Sequence, residues 1–447
     1  MDLISILPAF GGLSFTLLAF VVSLSVIVFV HEFGHYIIGR WSGIKAEVFS
    51  LGFGPVLISR VDRRGTQWQF ALIPFGGYVK FLGDKDAASA GDHQQIGVLS
   101  TEERRQTMHG APLWARTATV AAGPLFNFIL SILIFSSIAF WQGQARDPLT
   151  VGAIYPVPYE HGLKTDDVLL EINGKDVPSL LDSEALSDFW QSMSDENYYD
   201  YKVLRNERVV SVEGPNLSLA RVEQVVPRSA ASDARILSGD VIFKVNNIKI
   251  LRFDELKAHV ERSKGALLDL SIWRDGEVVS LQLVPKRVDE PLEQGGFQTV
   301  WRIGIVGGQF FFAPKVTTLE AKYALMFGAQ NTWRIITGSI DGLYHVVTGA
   351  ISSCNLSGVI GIAETSGQMA RQGGESYIWF IALLSAAVGI VNLFPIPVLD
   401  GGHLVFFAYE GIVGRPPATQ FLNVLMMAGL TLVITFMLFA IANDILC

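Results

Sequence analysis

The sequence predicts an α-helical polytopic membrane protein: four transmembrane helices, a membrane-associated β-hairpin region after the first, and two extracytoplasmic α+β domains between the second and third. Three observations predict it. Four apolar runs, 13–38, 117–141, 377–398 and 421–442, are each long enough to cross about 30 Å of hydrocarbon. Short β-rich runs broken by glycine and proline follow the first of them. An internal repeat of roughly 70 residues fills 142–290. With 50% hydrophobic and 17% charged residues, the 447-residue chain is too apolar to lie wholly in water and too charged to lie wholly in lipid.

Residues 1–40 hold the first span. It has no basic leader, only Asp2, so it is expected to be retained rather than cleaved as a signal peptide. In 41–116 the runs Glu47–Leu51, Val56–Val61, Gln67–Ile73 and Tyr78–Phe81 are separated by Gly52-Phe53-Gly54-Pro55, Asp62–Gly65 and Pro74–Gly77, which reads as hairpins. Two readings stay open for them: a plain structural hairpin, or a free edge within Glu47–Ile73 that pairs with an extended peptide. The second span covers 117–141. Domains follow at 142–218 and 219–288, where Asp166-Asp167-Val168 and Ile172-Asn173-Gly174 correspond to Gly239-Asp240-Val241 and Val245-Asn246-Asn247. Residues 289–376 read as a linker with an amphipathic stretch around Lys322–Ile336, and 377–400 as the third span. Residues 401–447 read as a loop and the fourth span.

Between the first two spans lie Arg40, Lys45, Arg60, Arg63, Arg64, Lys80, Lys85, Arg104, Arg105 and Arg116, whereas 1–14 and 442–447 hold no Lys or Arg. The positive-inside rule puts that segment in the cytoplasm and both termini outside, with 142–376 on the outer side too. A net charge of −8 and the absence of a basic tail argue against nucleic acid as a partner. Two cysteines, Cys354 and Cys447, are too few for a disulfide framework and make no zinc-thiolate pattern.

The first span ends in His31-Glu32-Phe33-Gly34-His35. Four residues apart on a helix, His31 and His35 share one face and are able to hold one metal ion, with Glu32 beside them as a candidate base. Ionisable groups in hydrocarbon cost about 2.5–3.5 kcal/mol each on insertion scales, so they are read as functional. Catalytic zinc usually takes three protein ligands and a water, so one ligand must come from elsewhere. Asp400 is the acid of an otherwise uncharged stretch that starts at Tyr377, just after Pro395 and Pro397. Spans one and three run in the same direction, which places His31 and Asp400 at matching depth. His403 is a rival ligand, further into the following segment.

These residues, with Gly52-Phe53-Gly54, Phe75-Gly76-Gly77-Tyr78-Val79-Lys80, Gly123-Pro124-x-x-Asn127-Phe128 and Asn392 through Gly402, make nearly the whole chain similar to the site-two protease family of intramembrane zinc metalloproteases. The repeated domains resemble bacterial PDZ domains. The resemblance implies zinc held by His31, His35 and Asp400, Glu32 as catalytic base, and substrate binding by Asn392 with Gly52, Gly54, Pro395 and Pro397. It further implies single-span membrane substrates, such as anti-sigma factors and remnant signal peptides, cut within the lipid bilayer of a bacterial inner membrane in an envelope stress response. Where relatives read Ser-Gly-Pro-Ile-Gly-Ile, this chain has valine at 359. A metal transporter or a silent PDZ scaffold is the competing reading, and neither needs Glu32.

Overall fold

A computed structural model describes residues 12–84, 99–180, 182–193, 195–291 and 297–446; Asp2, Lys85 and Cys447 lie outside them. The chain divides into two compact units, Met1–Ile138 with Ala321–Gly349 and Ser353–Cys447, and Ala139–Glu320 with Ala350–Ser352. Seven helices concern the first unit: α1 (Gly12–Trp41), α2 (Leu113–Gln142), α3 (Ala321–Val347), α4 (Val359–Gln372), α5 (Gly374–Leu393), α6 (Asp400–Val413) and α7 (Thr419–Leu446). Among the described residues α1, α2, α5 and α7 are long and apolar enough to cross a membrane. Helices are what such sequences form in lipid, because every backbone N–H and C=O must then be paired within the segment.

After α1 come two continuous strands, β1 (Ala46–Val61) and β2 (Gln67–Phe81), where four separate runs were expected. Both bend midway at glycines with positive φ, +93° at Gly52, +85° at Gly54 and +142° at Gly76, a region that residues with a Cβ rarely enter. The bends fold the pair into four-run pairing. Val48–Leu51 pairs with Gly77–Lys80 on one side and with Gln67–Phe70 on the other, and Val56–Val61 pairs with the outer side of Gln67–Ala71. Gln67–Phe70 is interior, and the open edges run along Val56–Val61, which lies within the expected Glu47–Ile73, and along Gly77–Phe81. At the hairpin tip Asp62 accepts from the N–H groups of Arg64 (2.8 Å) and Thr66 (3.0 Å), and from Trp68 and Tyr36. Burial pushes its carboxyl up, but these donors outweigh burial and hold it below the usual carboxylate range. Tyr36 and Arg40 belong to α1, so the same acid ties the sheet to the end of that helix.

The third span differs from the expected 377–400. Helix α5 stops at Leu393, because Pro395 and Pro397 lack the N–H groups a helix would use, and Asp400 opens the separate helix α6. Residues 289–376 are likewise more than a linker. In α3, Gly328 lies against the Ile132 carbonyl of α2, and Thr332 bonds Ser131 at 3.1 Å. Helix α4, 14 residues and too short to span, packs on α1, where Ser23 contacts Ser366 (3.2 Å) and donates to the Tyr377 hydroxyl (2.9 Å). Val359 is its first residue, the position that also suits proline, so valine keeps the helix start. Asp444 of α7 accepts from the N–H groups of Gly358 and Gly361 at that same end. Cys354 is disulfide-bonded.

In the second unit the repeat recurs as topology. The strands Val168–Ile172, Lys175–Asp176, Tyr198–Arg205 and Arg208–Pro215 form one four-stranded sheet, and Val241–Val245, Ile248–Lys249, Leu268–Arg274 and Glu277–Leu283 form another with the same order. Each module has its helix, Ser183–Ser192 or Phe253–Arg262, at the same point. Each also has the same ion pair, Asp167 with Arg205 and Asp240 with Arg274, both at 2.7 Å with the acid buried.

Both modules are completed by chain beyond 288. Ile305–Gly307 pairs with Val222–Val225, and Phe312–Pro314 pairs with Val151–Ile154, with Phe311 and Phe312 fully buried in the first module's core. Boundaries at 218 and 288 therefore leave a strand out of each module. The unit begins and ends side by side: Gln144–Ala145 pairs with Val316–Thr317, and the Arg146 N–H donates to the Lys315 carbonyl at 2.7 Å.

Candidate metal centre

His31 and His35, one turn apart on α1, point their Nε2 atoms at Asp400 Oδ2, the first acid of α6. The three atoms form a triangle with sides of 3.2 Å (His31 to His35), 3.2 Å (His31 to Asp400) and 3.5 Å (His35 to Asp400). Zinc bonds of 2.0–2.2 Å in a tetrahedron separate ligand atoms by about 3.3–3.6 Å, so the triangle has close to the size of three zinc ligands with the fourth position open. Asp400 Oδ2 is buried and has no hydrogen-bond partner, which is costly for a carboxylate unless a cation takes it up. The residues therefore fit a zinc ion. Among the described residues this is the one group of three His, Cys, Asp or Glu side chains close enough to share a metal. His403 is not part of it; its ring packs edge-on to Phe406.

Glu32 follows His31 on α1 and stands beside strand β2. Gly77 on the same strand is where a Cβ would come 3.2 Å from Glu32 Cγ, so the open edge Gly77–Phe81 runs beside the acid. Helix α2 backs the histidines. The His35 Nδ1 lies 2.9 Å from the Thr119 carbonyl, and the His31 Nδ1 lies 3.2 Å from the Asn127 amide. Gly123 between them lets the helix backbone approach both rings, and Gly34 meets Ala122 from the other side.

Helix α6 is tied to α2 by a bidentate pair in which the Arg116 guanidinium donates to Glu410 at 3.0 and 2.6 Å while lying over the Phe407 ring. Helix α2 thus supports all three candidate ligands. No spacing rule singled out Thr119, Arg116 or Glu410, and Asn127 stood in the sequence only as part of a matching motif.

The other expected site residues are placed less closely. Asn392 is half-buried in the last turn of α5, two residues before the break. Pro395 and Pro397 form the break itself, and Pro397 packs on Gly429 of α7. Gly52 and Gly54 mark the bend of β1, where a Cβ at Gly52 would meet the Ile73 carbonyl at 2.8 Å.

The chain matches Peptidase family M50 over residues 19–436. It is 35% identical over 441 residues to a protein of Agrobacterium fabrum named for zinc metalloprotease activity, covering 99% of this chain and 98% of the relative. Two further relatives are Metalloprotease MmpA of Caulobacter vibrioides, 31% identical over 459 residues (97% and 96%), and Protease RseP of Yersinia pestis, 31% identical over 467 residues (96% and 98%).

Proposed function

Since the chain belongs to peptidase family M50 and is a zinc metalloprotease of the site-two type, we propose that it hydrolyses peptide bonds inside the membrane through His31, His35, Asp400 and Glu32. The observation that carries this reading is the triangle of two Nε2 atoms and one orphaned carboxylate oxygen beside Glu32. Bound zinc supplies Lewis acidity, polarising the scissile carbonyl and lowering the pKa of a water to about 7. Glu32 accepts the proton of the attacking water and delivers it to the leaving amine.

The substrates are single-span membrane proteins of the anti-sigma-factor or remnant-signal-peptide kind. A helix hides its carbonyls, so it must open before it is cut. The edge Gly77–Phe81, which follows the bend at Gly76, offers backbone partners to the opened segment next to Glu32, and the bends at Gly52 and Gly54 fold β1 against it. Asn392 adds an amide at the end of α5, and Pro395 and Pro397 keep the chain before Asp400 out of helix so that substrate can approach. In this reading the basic 40–116 segment faces the bacterial cytoplasm, and the PDZ-like modules face the periplasm and sort substrates by size.

Chelation tests the proposal. Stripping zinc from the purified enzyme abolishes cleavage of a single-span peptide in detergent, and one equivalent of zinc restores it. Full turnover by the metal-free protein would overturn it.

A further inference from the structure

Asn127 is fully buried, and its side chain is placed with the amide nitrogen 3.2 Å from His31 Nδ1 while its Oδ1 has no partner at all. That arrangement conflicts with the chemistry of the metal centre. A neutral imidazole that ligates through Nε2 carries its proton on Nδ1, so Nδ1–H needs an acceptor. His35 has one, because a backbone carbonyl, that of Thr119, can only accept. At His31 an amide nitrogen facing Nδ1–H would set two donors against each other. The oxygen and nitrogen of an asparagine side chain have nearly the same shape, and their assignment follows from the hydrogen bonds they make. Exchanging the two gives Nδ1–H an acceptor in Oδ1 and removes the clash of two donors, with the amide nitrogen then standing where Oδ1 is now.

We infer that Asn127 is a positioning residue for the first zinc ligand: in the metal-loaded enzyme its Oδ1 accepts from His31 Nδ1–H and fixes the tautomer that leaves Nε2 free for zinc. The inference rests on His31 as a ligand through Nε2. Helix α2 then serves both histidines in the same way, one through a backbone carbonyl and one through a side-chain carbonyl eight residues further on. Two turns of one helix thereby set both imidazoles. Asn127 is itself held at its backbone, where its carbonyl accepts from Ser385 of α5 at 2.9 Å.

Zinc affinity of the full-length protein, read by competition with a chromophoric chelator, tests the inference with Asn127→Asp, Asn127→Leu and His31→Ala. Aspartate only accepts, so Asn127→Asp keeps zinc within about threefold of the wild type, forming the carboxylate–histidine–metal arrangement. Leucine fills the space and accepts nothing, so Asn127→Leu weakens zinc about 10- to 100-fold. The absorption of the cobalt-substituted Asn127→Leu enzyme shifts as well, whereas that of Asn127→Asp stays close to the wild type. If Asn127→Leu does not fold, Asn127→Asp alone decides. Loss of zinc from Asn127→Asp beyond about tenfold, or unchanged affinity in a folded Asn127→Leu, overturns the inference. His31→Ala separates the two claims: zinc lost there with Asn127 variants unaffected leaves His31 a ligand and removes only the role of Asn127.

Discussion

Gly123 on α2 lies flat against His35 on α1: a Cβ at Gly123 would stand 2.3 Å from His35 Nε2 and 2.8 Å from His31 Cε1. Real Cβ atoms do not come that close, so any side chain here displaces the very atoms that form the metal triangle. Gly123→Ala is expected to weaken zinc at least tenfold while the protein remains helical, as chelator competition and circular dichroism together would report. Wild-type zinc affinity in that variant would show that the rings have room to retreat.

Asp400 and His403 separate cleanly by mutation. Asp400→Ala removes a ligand and lowers zinc occupancy together with cleavage, whereas His403→Ala leaves zinc in place. Metal analysis of both purified variants reads this directly, and the reverse pattern would transfer the third ligand to His403.

Arg116 and Glu410 carry α6 onto α2, with side chains only 14% and 17% exposed. Arg116→Ala strands a partly buried carboxylate and is expected to cost about 1–3 kcal/mol, lowering the melting temperature and loosening zinc through Asp400. Removing Glu410 as well recovers part of the loss, so a double-mutant cycle yields a coupling energy of about 0.5–3 kcal/mol. A coupling of zero would mean the pair adds nothing to the hold on α6.

Excision of the duplicated modules should follow the paired strands Gln144–Ala145 and Val316–Thr317 rather than the repeat boundaries. Removing 146–315 and joining Ala145 to Val316 through a short glycine-serine bridge takes out both modules whole, since the flanking strands are already paired. Removing 148–288 instead leaves the strands Ile305–Gly307 and Phe312–Pro314 without the modules they complete, exposing Phe311 and Phe312. The first variant is expected to stay monodisperse and zinc-loaded and to cut substrates that keep their outer domains; the second is expected to aggregate. Size-exclusion profiles of the two in the same detergent make the comparison.

A proline at Gln69 interrupts a strand paired on both sides, with Ser50 and with Ser59. It should destabilise the sheet by about 3 kcal/mol or more and reduce cleavage of every substrate alike. Losses confined to substrates with stable helices would instead point to Gln67–Ile73 as a substrate-pairing edge.

The candidate metal centre was legible because its residues obey local rules: a four-residue helical spacing for His31 and His35, and a lone acid after two prolines for Asp400. The duplicated modules were legible because Asp167 and Asp240, and Arg205 and Arg274, recur at matching places. What escaped the sequence is non-local. Nothing in Ile305–Gly307 or Phe312–Pro314 reveals that each pairs with a strand far earlier in the chain, and no local pattern tells that β2 lends its first half to the middle of a sheet and its second half to the edge. The segment that forms α4 reads in sequence as too polar to span, yet its small residues Ser366 and Gly367 let it lie against α1.

The central claim is that Glu32 is the base beside a zinc held by His31, His35 and Asp400. Glu32→Gln preserves shape while removing the proton acceptor. Zinc content and cleavage of a single-span peptide, measured on the same preparation, are predicted to give one zinc per chain and no detectable turnover. Turnover at a tenth of the wild-type rate with zinc still bound would contradict the account.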